Sequence, residues 1–292
     1  MLNTCLIIIG KLIALISRVL NRGSGSTWPG HIALSLNKNF IKDIQKKSEI
    51  KIVFVVGTNG KTTTGRILTT ILRENRQKVI QNTSGANLVN GIASTLLAHA
   101  DFTGKVDADI AIFEIDENTL PVILKEIIPF AIIALNLFRD QLDRYGELDS
   151  IAKKWKASAQ KLPPQTILVL NADDPLIAYL GQGIHGKIVY FGLEEKGVQK
   201  TQHAADSIYC PKCGNKLSFK TYYYAHLGIW KCEKCLLQRP QPLVITSFYP
   251  LPGMYNQYNT LAAVSLAKTM DVPDAIIGKA LKKVTPESLA TI

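Results

Sequence analysis

Short apolar runs alternate with segments of helical periodicity along most of the chain, and this alternation constrains the fold more than any other feature. The runs predicted to form buried strands are 51–56, 78–81, 109–115, 130–135, 166–170, 187–191 and a last one at 243–248. Predicted helices occupy 62–74, 88–100, 148–161, 174–180, 256–270 and 274–283. The alternation predicts an α/β fold with a mostly parallel sheet covered on both faces. Because ligands of such sheets bind at the carboxyl ends of the strands, the residues that follow each strand are the first candidates for a site.

The composition excludes a disordered chain and gives a weak indication of partners. Hydrophobic residues make up 47% of the 292 positions, which is enough apolar surface to offset the entropy of ordering. The 34 Lys and Arg outnumber the 23 Asp and Glu, for a formal net charge of +11, which favours anionic partners such as phosphates, nucleic acid or a membrane surface. Five cysteines are too few for a disulfide scaffold in a chain of this length.

The first predicted strand runs directly into the sequence GTNGKTTT at 57–64 and then into a helix. Glycines let backbone N–H groups surround phosphate oxygens, Lys61 can reach the β- and γ-phosphates of a nucleotide, and Thr62 can ligate Mg²⁺. The candidate ATP-binding residues of this loop are Gly57, Thr58, Asn59, Gly60, Lys61, Thr62 and Thr63. A glycine turn with a chance GKT sequence is the alternative, and the strand before and the helix after the loop argue against it.

Polar residues also follow other predicted strands. Glu114 ends the third strand and offers the hard oxygen ligand that Mg²⁺ prefers, although such a residue is often only a solvated strand end. Ser84 follows the second strand and is a candidate ligand of a second Mg²⁺, or simply a turn residue. Asp140 and Asp143 are candidates for positioning metal or substrate, or alternatively for a helix cap and a salt bridge. Asn256 can pair with the edge of adenine, or it can cap the following helix.

Two cysteine pairs predict a metal site. They are Cys210 with Cys213 and Cys232 with Cys235, and 18 residues separate the pairs. This is the spacing of a Cys₄ zinc ribbon, in which the four thiolates surround Zn²⁺ and leave no open coordination position, so we expect a structural role. The surrounding segment 205–240 lacks a long apolar period, which predicts an inserted module. Its aromatic residues, expected to form the small core of the ribbon and not a base-stacking platform, are Tyr222, Tyr223, Tyr224 and Trp230.

The first twenty residues are the most apolar stretch of the chain. Lys11 and Arg18 interrupt it before about 20 uncharged residues, the length needed to span a bilayer, are reached. The charges lie inside and after the apolar run, which does not fit a secretory signal. An amphipathic helix that lies on a membrane or a partner, and a helix packed on its own domain, both remain open. We expect a cytoplasmic protein, or one peripheral at the inner face of the membrane.

Five motifs in sequence order resemble those of the Mur ligase family, the ATP-dependent ligases that assemble cell-wall precursors. They are GTNGKTTT at 57–64, FEIDE at 113–117, NLFRDQLD at 136–143, LNADDP at 170–175 and GMYNQYNTLAA at 253–263. The resemblance covers roughly residues 50–285 and implies a Mur-ligase-type P-loop ATPase core. It implies catalytic roles for Lys61 and Glu114, Mg²⁺ binding at Glu114 and adenine recognition by Asn256. Asp173 and Asp174, within LNADDP, precede a helix and are candidates for its cap.

At two positions the chain differs from the motifs of the Mur ligase family, which narrows the choice among its members. Gln141 stands where the family's DHLD segment has His, and Trp155 lies near the position of the family's carbamylated Lys. A Mur-type core interrupted by a Cys₄ ribbon, with DQLD in place of DHLD, resembles the MurT-type subunits of lipid II isoglutaminyl synthase. The resemblance implies that ATP activates the α-carboxylate of D-glutamate in the lipid II stem peptide as an acyl phosphate. It further implies amidation to D-isoglutamine by ammonia from a glutaminase subunit (GatD-type) in a heterodimer.

The resemblance also implies a domain division and a set of cofactors. We expect an N-terminal amphipathic helix and lead-in segment at 1–49, a central ATP-binding domain made of 50–204 and 241–292, and the ribbon at 205–240. The expected ligands are ATP, Mg²⁺, Zn²⁺ and lipid II at the membrane surface. Family members continue into a third domain, so this chain is expected to be a truncated form in which the third-domain catalytic Asp has no counterpart.

Two other functions remain open. The first is a Mur relative that joins an amino acid, such as a folylpolyglutamate synthase or a tripeptide ligase, and the ribbon and Gln141 argue against it. The second is a zinc-ribbon ATPase that binds nucleic acid. The Lys and Arg residues of this chain are spread along the sequence and do not form a basic stripe, so no nucleic-acid partner is expected.

Overall fold

The computed structural model describes residues 2–19, 27–82, 85–139, 147–194, 208–244, 246 and 248–290. Its central sheet contains β1 (Lys51–Val56), β2 (Val79–Gln81), β3 (Ile110–Ile115), β4 (Ala131–Ala134), β5 (Ile167–Asn171) and β6 (Ile188–Phe191). The strand order is β2-β3-β1-β4-β5-β6, and all five pairings are parallel. The expected parallel α/β sheet is therefore confirmed, with both ends of each of these six strands within one residue of the predicted bounds.

The predicted helices of the core are also present. The described helices are α1 (Leu2–Val19), α2 (Trp28–Leu36), α3 (Phe40–Ser48), α4 (Lys61–Glu74), α5 (Val89–His99), α6 (Leu120–Ile123), α7 (Glu147–Ala159), α8 (Pro175–Leu180), α9 (Met254–Thr269), α10 (Asp274–Leu281) and α11 (Pro286–Ala290). The lead-in segment, for which the sequence analysis made no helix prediction after the first twenty residues, contains α2 and α3.

The two faces of the sheet bury two separate cores. Side chains alternate along β1, so that Ile52 and Phe54 enter one core while Val53 and Val55 enter the other. Helices α1, α2, α3, α5, α7 and α8 cover the first face, and α4, α9 and α10 cover the second. Burial on both faces explains why the strands are continuous apolar runs with no polar alternation.

The segment predicted to be an inserted module contains a hairpin of β7 (Ser218–Tyr224) and β8 (Leu227–Lys231), which pair antiparallel. We call residues 208–240 the ribbon. Its small core contains Trp230, Leu217 and Leu237 beside the cysteines, and the indole of Trp230 is buried there. The expected role of Trp230 in the core of the ribbon is confirmed.

The strand predicted at 243–248 is wrong, because the described residues of this range are not in a strand. The N–H of Leu243 donates to the carbonyl of Tyr190 in β6 (2.9 Å), which is a single contact with the edge of the sheet. Pro240 and Pro242 precede it and have no N–H to donate, so the chain arrives at this edge without the donors that a longer pairing needs. Of the apolar residues that suggested a strand, Val244 packs into the second core, whereas Leu243 and Phe248 are exposed.

Helix α1 packs on its own domain through one face. Leu6 and Ile7 are buried in the first core, and the Nζ of Lys11 donates to the carbonyl of Ala100 (2.6 Å). Leu2 and Leu12 are exposed on another face of the helix. The sequence left open a helix that lies on a membrane or a partner and a helix packed on its own domain. Packing on its own domain is confirmed for the face that carries Leu6 and Ile7. Within the described ranges, no helix has both the length and the apolar character needed to cross a membrane.

Candidate nucleotide site and metal centre

The chain leaves β1 through two glycines that adopt conformations other residues rarely reach. Gly57 has φ +141° and Gly60 has φ +89°. A Cβ at Gly60 would clash with the Oδ1 of Asn259 on α9, so glycine is required there for space as well as for conformation. Helix α4 begins at Lys61, immediately after the loop, with Gly60 at its N-cap. The unpaired N–H groups of its first turn therefore lie beside the loop, as in an anion-binding helix N-terminus.

We call residues 57–60 the phosphate loop, after the role predicted for it. Asn136, which follows the neighbouring strand β4, holds this loop in place. The N–H of Asn59 donates to the Oδ1 of Asn136 (2.9 Å), and the Nδ2 of Asn136 donates to the carbonyl of Asn59 (3.0 Å). The N–H of Thr58 donates to the carbonyl of Asn136 (3.1 Å), and its hydroxyl accepts from the N–H of Phe138 (3.0 Å). This role of Asn136 was not predicted from the sequence. The signal was its position directly after β4, which pairs with β1.

Lys61, Thr62 and Glu114, all predicted site residues, lie together. The Nζ of Lys61 donates to the carbonyls of Gly57 and Thr58 and is 3.9 Å from the Oε1 of Glu117. The hydroxyl of Thr62 donates to the Oε2 of Glu114 (2.6 Å). A cation, a hydroxyl and a buried carboxylate thus meet at the carboxyl ends of β1 and β3, where the sequence analysis expected them.

Among Lys61, Thr62 and Glu114, the carboxyl group of Glu114 has a shifted pKa. Its side chain is buried, and this loss of hydration raises the pKa of its carboxyl, while the hydroxyl of Thr62 and the charges of Lys61 and Arg66 act in the opposite direction. A buried carboxylate that shares a hydrogen bond with a hydroxyl offers two oxygen atoms to a hard cation. The chemistry of this donor pair fits Mg²⁺.

A cavity of about 350 Å³ opens beside the phosphate loop. Residues from the loop and from α4 and α9 line it, among them Asn59, Gly60, Thr63, Tyr255, Tyr258 and Asn259. Phe138 adds an aromatic ring from the segment that follows β4. The volume and the mixture of aromatic and amide side chains are typical of a small-molecule site.

Asn256 lies in the first turn of α9 and is linked to this cavity through Asn259. The Nδ2 of Asn256 donates to the carbonyl of Pro252 (2.7 Å), and its Oδ1 accepts from the Nδ2 of Asn259 (3.3 Å). Because Gly253 is the N-cap of α9, the alternative that Asn256 caps this helix is wrong. Asn259, which the sequence analysis did not single out, lines the cavity directly.

The four predicted zinc ligands converge in the ribbon. The Sγ atoms of Cys210, Cys213, Cys232 and Cys235 all lie within 4.8 Å of one another. The Sγ of Cys210 is 3.5 Å from that of Cys235, and the Sγ of Cys213 is 3.5 Å from that of Cys232. Sulfur atoms this close fit around one Zn²⁺ at its usual Zn–S distance of about 2.3 Å.

Each cysteine pair lies on a turn of the same design. The N–H of Gly214 donates to the carbonyl of Cys210 (2.8 Å), and the N–H of Leu236 donates to the carbonyl of Cys232 (3.0 Å). Gly214 and Leu236 both have positive φ, +73° and +59°. The N–H of Cys235 is the main group that lowers the pKa of Cys232 to about 7, whereas burial raises the pKa of Cys210 to about 12. A metal must therefore displace protons to bind here.

The ribbon is anchored to the core through the LNADDP segment after β5. The Oδ1 of Asp173 accepts from the Nε of Arg239 at the end of the ribbon (2.5 Å), and its Oδ2 accepts from the hydroxyl of Tyr258 on α9 (2.8 Å). Burial and the adjacent carboxylate raise the pKa of Tyr258 well above its usual value, which keeps its hydroxyl protonated as a donor. Asp173 thus joins the ribbon to α9, a role that the sequence analysis missed.

Asp174 has two roles. Its Oδ1 accepts from the N–H of Leu176 (2.9 Å), which confirms the predicted helix cap, now of α8. Its Oδ2 lies 3.3 Å from the Nε2 of His226 at the tip of the ribbon hairpin, and both side chains are fully buried. The cap was predictable from position in the sequence, whereas the contact with His226 was not.

The remaining predicted residues have mixed outcomes. Ser84, Asp140 and Asp143, and with them Gln141, lie outside the described residues. Trp155 is buried in the first core, and its Nε1 donates to the carbonyl of Glu117 (2.8 Å). It therefore supports the segment that follows β3, at the carboxyl ends of the strands near the site.

The ribbon tyrosines do not all form a core, as the sequence analysis expected. Tyr223 is buried in the second core of the central domain, and Tyr222 stacks on Phe219 with ring centroids 4.4 Å apart. Tyr224 is 44% exposed and lines the cavity beside the phosphate loop. The expectation was therefore wrong for Tyr223 and for Tyr224, because the hairpin turns its tip towards the central sheet and its helices.

Comparison with known proteins identifies related sequences. The family model of the Mur ligase middle domain matches residues 55–267. The chain is 37% identical over 288 residues to the subunit MurT of lipid II isoglutaminyl synthase (glutamine-hydrolyzing) from Streptococcus pneumoniae (strain ATCC BAA-255 / R6), covering 91% of this chain and 63% of that protein. It is 31% identical over 299 residues to the same subunit from Staphylococcus aureus (strain COL), covering 96% and 66%. The chain therefore spans just under two thirds of the length of these curated relatives.

Solved structures share the fold. A pseudomurein peptide ligase type C from Methanothermus fervidus superposes with a TM-score of 0.65 at 27% identity, covering 84% of this chain and 52% of that one. A MurF ligase from Thermotoga maritima in complex with ADP superposes with a TM-score of 0.52 at 18% identity, covering 90% and 52%. The predicted Mur-ligase-type fold is confirmed by these neighbours together with the parallel sheet.

Proposed function

Because the chain belongs to the Mur ligase family, we propose that it is the MurT-type subunit of a lipid II isoglutaminyl synthase and that it binds ATP at residues 57–64. Its substrate is the α-carboxylate of D-glutamate in the lipid II stem peptide. One observation carries the proposal: Lys61, Thr62 and Glu114 meet at a phosphate loop in a chain that also contains a four-cysteine ribbon. The 37% and 31% identities to MurT subunits support the same assignment.

The loop supplies the groups that a nucleotide triphosphate requires. The backbone N–H of Gly60 and the N-terminus of α4, with Lys61, Thr62 and Thr63, would hold the phosphates. Gly57, Thr58 and Asn59 would shape the loop around them, since the N–H groups of Thr58 and Asn59 donate to Asn136. Thr62 and Glu114 would hold Mg²⁺, and Ser84 is a candidate ligand of a second Mg²⁺. When bound, Mg²⁺ neutralises charge on the phosphate oxygens. The adenine base would be recognised by Asn256, whose link to Asn259 connects it to the cavity.

The reaction needs positioning more than covalent help from the protein. A carboxylate oxygen of D-glutamate attacks the γ-phosphorus of ATP, the bond to the β-phosphate oxygen breaks, and ADP leaves. Ammonia then attacks the carbonyl carbon of the acyl phosphate, the bond to the phosphate oxygen breaks, and phosphate leaves with the proton that the nitrogen loses as the amide forms. Lys61 would stabilise the charge that develops on the transferred group, and Asp140 and Asp143 remain candidates on the substrate side.

Ammonia is proposed to come from a separate glutaminase subunit (GatD-type) in a heterodimer. Four of the five cysteines form the ribbon cluster, and the fifth, Cys5, is exposed on the apolar helix α1. None of them is placed as a glutaminase nucleophile would be, next to a base in a cleft. The S. pneumoniae and S. aureus relatives are themselves named as subunits of a synthase, which supports a partner chain.

The substrate also suggests where the protein works. Lipid II is membrane-bound, so we propose a cytoplasmic protein that is peripheral at the inner face of the membrane. Exposed apolar residues on α1 support this position, namely Leu2, Ile8, Ile9 and Leu12. The four ribbon cysteines are proposed to hold a structural Zn²⁺, because four thiolates leave no position for a substrate.

A second candidate is an amide ligase that adds an amino acid, and the likeness to a pseudomurein peptide ligase favours it. The two are separated by one assay. The chain is co-expressed with a candidate glutaminase from the same organism, and the purified complex receives ATP, Mg²⁺, lipid II and either glutamine or single amino acids. We expect amidated lipid II with glutamine only, as a mass decrease of about 1 Da per stem peptide. Addition of an amino acid instead would replace the proposal with the second candidate.

A further inference from the structure

We propose that the tip of the ribbon hairpin forms one wall of the site for the nucleoside part of ATP, with Tyr224 as a base-stacking residue. The inference rests on the proposed function, since it assumes that ATP binds at the phosphate loop. Tyr224 and Leu227 line the same cavity as Asn59 and Gly60 of that loop. The ribbon is thus part of the nucleotide site as well as a metal-binding module.

Two exposed aromatic rings line this cavity from different elements. Tyr224 comes from β7 of the ribbon and is 44% exposed, and Tyr255 comes from α9 and is 58% exposed. Tyrosine rings left open to solvent at one cavity offer flat apolar surfaces to a planar ligand. A nucleobase is such a ligand, and stacking on an aromatic side chain does not require a particular base.

The hairpin tip is held firmly enough to act as a wall. The N–H of Gly228 donates to the carbonyl of Asp173 (3.0 Å), and the Nε1 of Trp230 donates to the carbonyl of Ala172 (3.0 Å). At the turn itself, the fully buried His226 lies 3.3 Å from Asp174. These contacts fix the direction in which β7 delivers Tyr224.

Phe138 connects the hairpin tip to the phosphate loop. Its ring centroid lies 5.8 Å from that of Tyr224 in an edge-to-face arrangement and 4.8 Å from that of His226. Its backbone N–H donates to the hydroxyl of Thr58 (3.0 Å). One residue therefore contacts both the proposed base wall and the proposed phosphate site, which sets the spacing between them.

The four-cysteine cluster anchors the other end of the hairpin. Cys232 directly follows β8, and its N–H donates to the carbonyl of Leu237 (2.7 Å), while the N–H of Arg239 donates to the carbonyl of Trp230 (3.0 Å). A metal bound to the cysteines would hold this end, and Asp174 holds the tip. The proposal accordingly links metal occupancy of the ribbon to affinity for the nucleoside.

The test compares two probes, Mg²⁺-ADP and Mg²⁺-tripolyphosphate, by titration calorimetry of the full chain. Tyr224→Ala is expected to weaken ADP binding about tenfold, the size of one lost base-stacking contact, and to leave tripolyphosphate binding unchanged. Tyr224→Phe keeps the ring and is expected to bind ADP as the wild type does. Tyr209→Ala is the matched control, because Tyr209 is a 52% exposed tyrosine of the same ribbon that does not line the cavity.

The outcomes are distinguishable. Wild-type affinity for ADP in Tyr224→Ala overturns the inference and leaves the proposed function intact. Equal losses for ADP and tripolyphosphate also overturn it, since they indicate general damage to the site. A wild-type chain that binds neither probe overturns the ATP assignment and this inference together. Removal of the metal by 1,10-phenanthroline should lower ADP affinity alone, with recovery on adding Zn²⁺, and metal loss without that change overturns the link to the metal.

Discussion

Asn136 and Asn59 exchange two hydrogen bonds across the carboxyl ends of β4 and β1, at 2.9 Å and 3.0 Å. The side-chain amide of Asn136 acts as acceptor for the N–H of Asn59 and as donor to its carbonyl. An amide can do both at once because its oxygen accepts and its NH₂ group donates, whereas a carboxylate can only accept. The phosphate loop is therefore shaped before any ligand arrives, so binding an anion requires little reorganisation.

We expect Asn136→Asp to destabilise the protein and to weaken ATP binding at least tenfold. The carboxylate cannot donate to the carbonyl of Asn59, and it places negative charge beside the phosphate site. An unsatisfied buried polar group costs about 1–3 kcal/mol. Urea unfolding and calorimetric titration with ATP would measure both effects. Asn118→Asp, a change of the same charge at an exposed asparagine, is the control, and equal behaviour of the two variants would contradict the role of Asn136.

Lys61→Ala is expected to remove most ATP affinity and to leave the fold intact. The Nζ of Lys61 bonds to carbonyls within its own loop, and no core packing depends on it. The side chain of Lys61 is 16% exposed, so the free energy of unfolding should fall by about 1 kcal/mol, the typical cost of a point substitution, and the protein should remain folded. Calorimetric titration with ATP and thermal unfolding provide the two measurements, and the exposed Lys153→Ala serves as control. ATP binding by Lys61→Ala that is as tight as in the wild type would contradict the assignment of the phosphate site.

Glu114→Gln is expected to make the protein more stable at high pH while it removes Mg²⁺-dependent ATP binding. Burial raises the pKa of Glu114 in the folded state above its unfolded value, so ionisation costs folding free energy as pH rises through this folded pKa. The cost is present at neutral pH and absent below the unfolded pKa of about 4.3. Glu114→Gln should therefore raise the Tm at pH 8 and change it little at pH 4, while abolishing Mg²⁺-dependent ATP binding.

Two results would contradict this prediction. A Tm difference between Glu114→Gln and wild type that is the same at pH 4 and pH 8 would show that ionisation of Glu114 does not limit stability. Unchanged Mg²⁺ dependence of ATP binding would remove Glu114 from the metal site. Glu126→Gln, at an exposed carboxylate paired with Lys42, is the control for the charge change itself.

The ribbon should contain one zinc per chain, and Cys213→Ser should lose it. The ribbon has a small apolar core, and the ordering cost of about 1–2 kcal/mol per residue makes metal binding necessary for its order. Metal analysis and limited proteolysis would show loss of zinc and new cleavage within residues 208–240. Cys5→Ser, at an exposed cysteine far from the ribbon in sequence, should retain the metal. Full protection of the ribbon in Cys213→Ser would indicate that the cysteines do not ligate a structural ion.

The core and the phosphate loop were predictable because their signals are local. Strand 51–56, the loop 57–60 and the helix that starts at Lys61 follow from an apolar run, two glycines and helical periodicity in adjacent residues. The cysteine cluster was predictable for a similar reason, since each CxxC pair forms its own turn. The strand predicted at 243–248 failed because an apolar run does not by itself create backbone pairing, and Pro240 and Pro242 lack the N–H groups that a longer pairing with the sheet edge needs.

The sequence by itself thus determined the parallel α/β sheet, the glycine loop after β1 and the cluster of four cysteines, all of which depend on residues close together in the chain. Only the tertiary structure decided that Asn136 clamps Asn59, that Asp173 binds Arg239, and that Tyr224 reaches the cavity beside the phosphate loop. The partners in these contacts are 77, 66 and more than 150 residues apart. An aspartate after a strand is usually solvated or a helix cap, and it becomes a buried anchor only when the fold delivers a cation and a hydroxyl to it.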